Sequence, residues 1–501
     1  MGVTALSRSL PRVRAIRPAT GAAHRLHAPA QGPTLASGTR MHLQPRHFTA
    51  LLLAATLAAV LPRAHAQTEV TAVLAGHAAL AHDSTVAAPR DAGPFFATAG
   101  KFTAANRLRN ETLGAIPANT FVGDAKYPRA SGGTLPVKGQ AVQGFSGIVS
   151  LGRDEFLALT DNGFGNKVNS PDALLMVHRV KAHWASGKVQ RLHTTFLRDP
   201  GRKIPFAIQN EATRERYLTG ADLDIESIQV VGQEWWIGDE FGPYVIRFDA
   251  QGRALGLVET TVGERAYRSP DHYSQGRLPN YPADAAGWEA RRSGGFEPMA
   301  QSPDGKRLYP MFEWPLWDAA AKAQEQQGGR PFTRILELDV ATQRYTGTQW
   351  KYRFEAAGNV AADFQLLDAS TGLVIERDDA TEGAGPGCPE APRTDCFTRP
   401  AKFKRIYKID LGQLDADGFV KKVAFIDLTK IANPKRLAKV GPNDETFVLP
   451  HLGPEGLAVV DARHIVVVND NNFPYSSGRQ IGRPDDNELT LLDISALVEA
   501  K

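Results

Sequence analysis

The chain has 501 residues, including 46 Gly and 33 Pro, with 58 basic against 54 acidic residues and a formal charge of +4. The basic excess is confined to the first 66 residues, which hold eight Arg and no Lys, Asp or Glu. Without them, 58 less eight leaves 50 basic residues against 54 acidic, a formal −4, so a nucleic-acid or anionic-membrane role loses its charge argument.

Residues 1–40 contain Arg but no acid and stand outside any fold; a start codon assigned upstream of Met41 accounts for them, with a transit-like leader as the alternative. Residues 41–66 have a basic start, an apolar run from Phe48 to Leu61 and the small-x-small site Ala64-His65-Ala66, the pattern of a cleaved secretory signal. That run is short of the ~20 residues a membrane helix needs, and no other stretch approaches it, so no stable membrane insertion is expected. A periplasmic or secreted mature chain starting at Gln67 follows. It reads as a flexible segment, 67–105, and one domain, 106–498.

From Val142 onward, β-branched and aromatic runs alternate with turns such as Ser302-Pro303-Asp304-Gly305 and Asp415-Ala416-Asp417-Gly418. Five units repeat one layout, an apolar strand, a turn and a second apolar strand, with polar residues at both outer ends. The markers are Ser146 with Asp161, Glu226 with Asp239 and Glu240, Glu297 with Glu313, Asp363 with Glu376, and Glu455 with Asn469 and Asp470. An antiparallel hairpin returns the chain to where it began, so the marked ends lie side by side at one rim. Recurring, irregularly spaced hairpins fit an all-β fold, a single β-propeller of about six blades, with residues from roughly 100 to 140 joining the C-terminal strand to close the ring.

In that arrangement the markers surround one channel mouth. Like charges so close must take protons or a cation, and oxygen donors without thiolates favour calcium, with magnesium or manganese possible. The candidate metal ligands are Asp161, Glu226, Asp239, Glu240, Glu297, Glu376, Glu455, Asn469 and Asp470. Cys388 and Cys396, the chain's two cysteines, lie in a Pro-rich loop, and export makes a disulfide the natural reading. No Gly-x-Ser-x-Gly, His-Glu-x-x-His or Walker pattern occurs, and His178 and His451 read as strand or loop residues.

The phrases Gly144-Phe145-Ser146-Gly147-Ile148, Gly238-Asp239-Glu240-Phe241-Gly242-Pro243-Tyr244, Gly295-Phe296-Glu297 and Asn469-Asp470-Asn471-Asn472-Phe473 resemble the phytase-like family, known as "esterase-like activity of phytase" proteins. The resemblance spans about 110–495. It implies a β-propeller and a phosphoester hydrolase. The chain departs from the family pattern at Glu297-Pro298-Met299, where Glu-Gly-aliphatic is usual.

The expected activity is therefore metal-dependent hydrolysis of a small phosphoester by a monomer. Glu240, Glu297, Asp470 and Arg377 are the catalytic candidates, and Arg479, Lys167 and Asn471 the substrate-binding ones. Two alternatives remain open: a calcium-dependent lactonase or carboxylesterase, and a non-catalytic binding propeller.

Overall fold

The computed structural model describes residues 67–103, 108–274 and 288–501. The expected leader, residues 1–66, lies outside them. The fold is all-β: apart from two 3-10 turns, the described residues form one short helix, Ser495–Glu499.

Five four-stranded antiparallel units, called sheets below, follow one another along the chain; two-residue strands extend the third and fourth, and a single parallel pair, Lys188 with Ala79, hydrogen-bonds the outer strands of the first and fifth. The first comprises Phe145–Gly152, Glu155–Thr160, Met176–His183 and Lys188–Phe196. The second comprises Ile225–Val231, Glu234–Asp239, Tyr244–Asp249 and Ala254–Glu259. Phe296–Gln301, Arg307–Phe312, Arg330–Asp339 and Arg344–Arg353 make the third. Asn359–Leu366, Thr371–Asp378, Lys404–Leu414 and Val420–Asp427 make the fourth. The fifth takes Gly453–Val459, His464–Asp470 and Asn487–Asp493 from the C-terminal end, and its outer strand, Val73–Leu80, from the N-terminal end.

The first strands of the five sheets pack against one another in a closed ring, each beside two others. Five apolar clusters fill the five gaps between neighbouring sheets. Between the fourth and fifth sheets, for example, Ile375, Ile406 and Ile426 meet Leu457, Ile465 and Val467. Inner strands therefore have both faces covered, which is why Ile465-Val466-Val467-Val468 is continuously apolar rather than alternating. The outer strand of the third sheet, Arg344–Arg353, faces water along half its length and reads accordingly, whereas Val73–Leu80 is largely buried. Glycine permits the close approach of inner strands. A Cβ on Gly147 would lie 2.8 Å from the Glu226 carbonyl oxygen, and one on Gly295 would lie 2.5 Å from that of Glu240.

Two expectations need correction. The described residues form five such sheets, where about six were expected. The ring is closed by Val73–Leu80, inside the segment read as flexible, and not by residues 100–140. Val73 through Leu80 pair with Asp493 back through Asn487, and His77 Nε2 lies 3.0 Å from the Glu488 carboxylate, a buried contact across 411 residues of chain. Cys388 and Cys396 are disulfide-bonded. Among the described residues, no helix is long and apolar enough to cross a membrane.

Candidate active site at the acidic mouth of the channel

Each inner hairpin carries a register slip at the same end. The pairs that flank these slips on the mouth side are Phe145 with Thr160, Ile225 with Asp239, Phe296 with Phe312, Ala361 with Glu376, and Pro454 with Asn469, with pairing continuing in the last two hairpins to Asn359 with Asp378 and Gly453 with Asp470. The residues that follow on the first strands are Ser146, Glu226, Glu297, Ala362 and Glu455. Those that follow on the second strands are Asp161, Glu240, Glu313, Arg377 and Asp470. A bulge leaves its extra residue unpaired and re-aims its side chain, here inward.

The result is a cavity of about 190 Å³ whose lining, among the described residues, has nine carboxylates and two guanidinium groups. Asp161, Glu226, Glu240, Glu297, Glu455, Asp470 and Arg377 all line it, as expected from the hairpin repeat. Asp224, Glu313, Asp379, Arg291, Trp314 and Asn162 line it too. Asp224 and Asp379, which were not expected, lie two residues from Glu226 and Arg377. They flank the strand ends Ile225 and Asp378, and the two-residue period of a strand assigns them to the mouth only once the faces of Glu226 and Arg377 are known.

That same period removes three expected ligands. Asp239, Glu376 and Asn469 sit one residue before the mouth positions and point away. Asp239 accepts the Asp224 and Gly242 backbone N–H groups at 2.8 and 2.7 Å, holding the turn that presents Glu240. Glu376 is satisfied by Tyr352 Oη at 2.8 Å, Asn359 Nδ2 at 2.7 Å and Lys422 Nζ at 2.7 Å. Asn469 accepts the Glu488 N–H at 2.8 Å. Asp363 is likewise off the mouth: the equivalent position is Ala362, and Asp363 accepts the Leu457 N–H at 2.6 Å.

The expected substrate-binding residues are also engaged elsewhere. Arg479 pairs with Glu488 and donates to the Val448 carbonyl at 2.7 Å, and Asn471 accepts the Gly144 N–H at 3.0 Å, joining the fifth sheet to the first. Lys167 lies over the Phe241 ring, 5.0 Å from its centroid, and does not line the cavity. His178 is buried between Thr160 and Thr194.

Burial is the main force on the mouth acids, and their mutual repulsion adds to it. Burial pushes Asp161 and Glu313 up to about 7 and Asp224 up to about 8, and it raises Glu226, Glu240, Glu297 and Asp470 well above the usual carboxylate range. Individual groups are held in place. Asp161 accepts Gln143 Nε2 at 2.7 Å, Asn162 Nδ2 donates to Asp224 at 2.6 Å, and the Asn472 N–H donates to Asp470 at 2.6 Å. Arg377 donates to Glu455 at 2.7 Å and to Asp379 at 2.9 Å.

The donor set suits a hard divalent cation. Asp224, Glu226 and Glu240 bring carboxylate oxygens within 4.8 Å of one another, and so do Glu240, Glu297 and Glu313. Glu240 Oε1 and Glu297 Oε1 are buried with no hydrogen-bond partner, which leaves two acceptors for such an ion. The opposite end of the channel is different in kind, lined by the neutral amides Gln229, Gln301 and Gln365. A larger cavity of about 710 Å³ beside Thr85–Ala88 has only Arg90 and Lys138 as ionisable lining groups, so the smaller acidic one is the candidate for chemistry.

An uncharacterised secreted protein from Arthroderma benhamiae is 31% identical over 146 residues, covering 26% of each chain. The chain thus spans about a quarter of that relative's length. Among solved structures, a luciferin-regenerating enzyme is similar at 9% identity and TM-score 0.31, covering 79% of this chain and 92% of that one. A Pseudomonas aeruginosa periplasmic gluconolactonase is similar at 12% identity and TM-score 0.28, covering 75% and 98%. Residues 140–473, from just before the first sheet through the second strand of the fifth, match the phytase-like family described as esterase-like activity of phytase, and the chain belongs to that family.

Proposed function

We propose that this phytase-like chain is an exported hydrolase of small phosphoesters, with its five sheets as the blades of a β-propeller and its active site at the acidic mouth. The observation that carries this reading is the convergence of nine carboxylates from all around the ring on one small cavity. Among the described residues, only Arg291 and Arg377 oppose them there, so a bare mouth repels a phosphate, and bound cations would have to offset that charge. Calcium is the expected occupant, with Asp224, Glu226, Glu240, Glu297 and Glu313 as its ligands. A cation held there supplies Lewis-acid polarisation of a phosphoryl oxygen.

The chain's own residues do the positioning. Arg377, fixed by Glu455 and Asp379, sets one guanidinium against an anionic group entering the mouth, and Arg291, stacked 4.0 Å from the Trp314 ring centroid, sets a second. Asp161 and Asp470 line the cavity too, and once a bound cation favours their ionised forms over the protonated ones that burial favours, either is placed to accept a proton from an attacking water. The secretory pattern before Gln67 and the Cys388–Cys396 bridge support a periplasmic or secreted location.

The deciding assay compares p-nitrophenyl phosphate with a simple lactone, each with calcium and with chelator. Calcium-dependent phosphatase activity that is lost in Glu240→Gln supports the proposal. Lactone hydrolysis alone transfers the site to the lactonase or carboxylesterase reading, and turnover of neither substrate favours a binding propeller.

A further inference from the structure

The cavity beside Thr85–Ala88 takes no part in the chemistry proposed above, yet its walls are built and its charge is unbalanced. At about 710 Å³ it has the size of a site that encloses a small molecule. Val86, Ala88, Pro89, Pro94 and Ala97 give it apolar walls, and Arg90 and Lys138 stand in the lining with no carboxylate among the described residues there. Neither basic side chain has an ion-pair or hydrogen-bond partner among the described residues. Asp91, next to Arg90 in the chain, lies outside the lining and accepts Tyr217 Oη at 3.1 Å. Two unopposed cations thus face an apolar concavity, and no residue lines both this cavity and the acidic mouth.

The walls are fixed by contacts of their own. Pro89 precedes the 3-10 turn Arg90–Ala92 and Pro94 opens the turn Pro94–Ala97, and each ring restricts its backbone. Ala92 and Phe96, from those turns, are buried in one cluster with Leu174 and Tyr217. The Phe96 carbonyl accepts Gln140 Nε2 at 2.9 Å and the Ala97 carbonyl accepts the Gly139 N–H at 2.8 Å, tying the turns to the segment that carries Lys138. Gly139, at φ 77°, lets the opposite wall come close, since a Cβ there would lie 2.6 Å from the Val86 carbonyl oxygen. A site already in place loses less entropy on binding than one its ligand must order.

We propose that this cavity binds a small anionic amphiphile, an apolar body ending in one carboxylate or sulfonate, taken free from solution. The walls enclose the body, and Arg90 and Lys138 pair with the head. A concavity commits the site to a free molecule, because a flat lipid surface would meet the rim and leave the walls unfilled. The inference is independent of the reaction at the mouth.

The test is calorimetric titration of decanoate, below its micellar concentration, into the mature chain, with a thermal melt of each variant to verify folding. The wild type should bind one decanoate. Arg90→Gln and Lys138→Gln should each weaken binding by about two- to fivefold, the range of an exposed charge pair, and the double variant should weaken it more than either. Ala97→Trp, which fills the cavity and keeps both bases, should abolish binding; the glutamine variants, at exposed positions, decide the matter should the tryptophan protein not fold. Binding should persist in chelator and in Glu240→Gln, which separates this site from the mouth. No saturable binding, or equal binding in the wild type and the double glutamine variant, overturns the assignment. Capture of the chain by phosphatidylglycerol vesicles without binding of free decanoate overturns it as well, and none of these outcomes bears on the phosphoesterase reading.

Discussion

His451 offers the sharpest test of how the ring is held shut. Its imidazole is fully buried, with Nδ1 3.2 Å from Asp485 and Nε2 3.3 Å from Glu488, the same carboxylate that His77 reaches from the N-terminal strand. Burial pulls the His451 pKa down, but the Glu488 and Asp485 carboxylates outweigh it and push it up to about 9 from 6.5. A group whose folded pKa exceeds its unfolded one stabilises in its protonated form. The contribution is therefore complete below pH 6.5 and lost as the pH rises through about 9. At 1.36 kcal/mol per pKa unit the rise corresponds to about 3 kcal/mol. For a domain of this length, with an unfolding entropy of about 2.1 cal/mol/K per residue, that is a Tm change of roughly 3 to 4 °C. The assay is scanning calorimetry of wild type and His451→Gln at pH 6 and pH 10 in saturating calcium, which keeps the mouth acids ionised at both. The variant should melt below wild type at pH 6, and the gap should narrow by about 3 kcal/mol at pH 10. A gap of the same size at both pH values would refute a charged His451 in the native ring.

Three further outcomes are expected. Chelation should lower the Tm, because calcium at 100 times its dissociation constant stabilises the native state by about 2.7 kcal/mol; an unchanged melt would count against a bound cation. Glu240→Gln and Asp470→Asn should each lower phosphoesterase kcat/KM by about 100-fold or more, some 2.7 kcal/mol, while Asp304→Asn, in an exposed turn at the amide-lined end of the channel, should stay near wild type. In chelator the Glu240→Gln protein should melt above wild type, since the amide relieves the repulsion among buried acids. The intact mass of exported protein should correspond to a chain starting at Gln67 with Cys388 and Cys396 oxidised; free thiols or a retained leader would contradict the export reading.

The hairpin repeat and the acidic character of one rim were legible in the sequence because both are local. An antiparallel hairpin of known length returns its ends to one place, and Glu226, Glu240, Glu297, Glu455 and Asp470 each lie within one hairpin of a marker that recurs. The face each acid takes was not legible, because the side-chain period of a strand is two and a single bulge reverses it. Asp239 and Glu240 are adjacent, yet one ties a turn together and the other enters the mouth. Asp363 looked like a marker, but the register places Ala362 at the mouth instead. Ring closure was equally hidden, since the pairing of Val73–Leu80 with Asn487–Asp493 joins segments some 400 residues apart and depends on no local signal. The role of Arg377 belongs to the same class. The sequence by itself determined that hairpins recur and that acids crowd their ends; only the tertiary structure decided which acids share a cavity and which base stands among them, because that depends on where the fourth sheet falls in a closed ring.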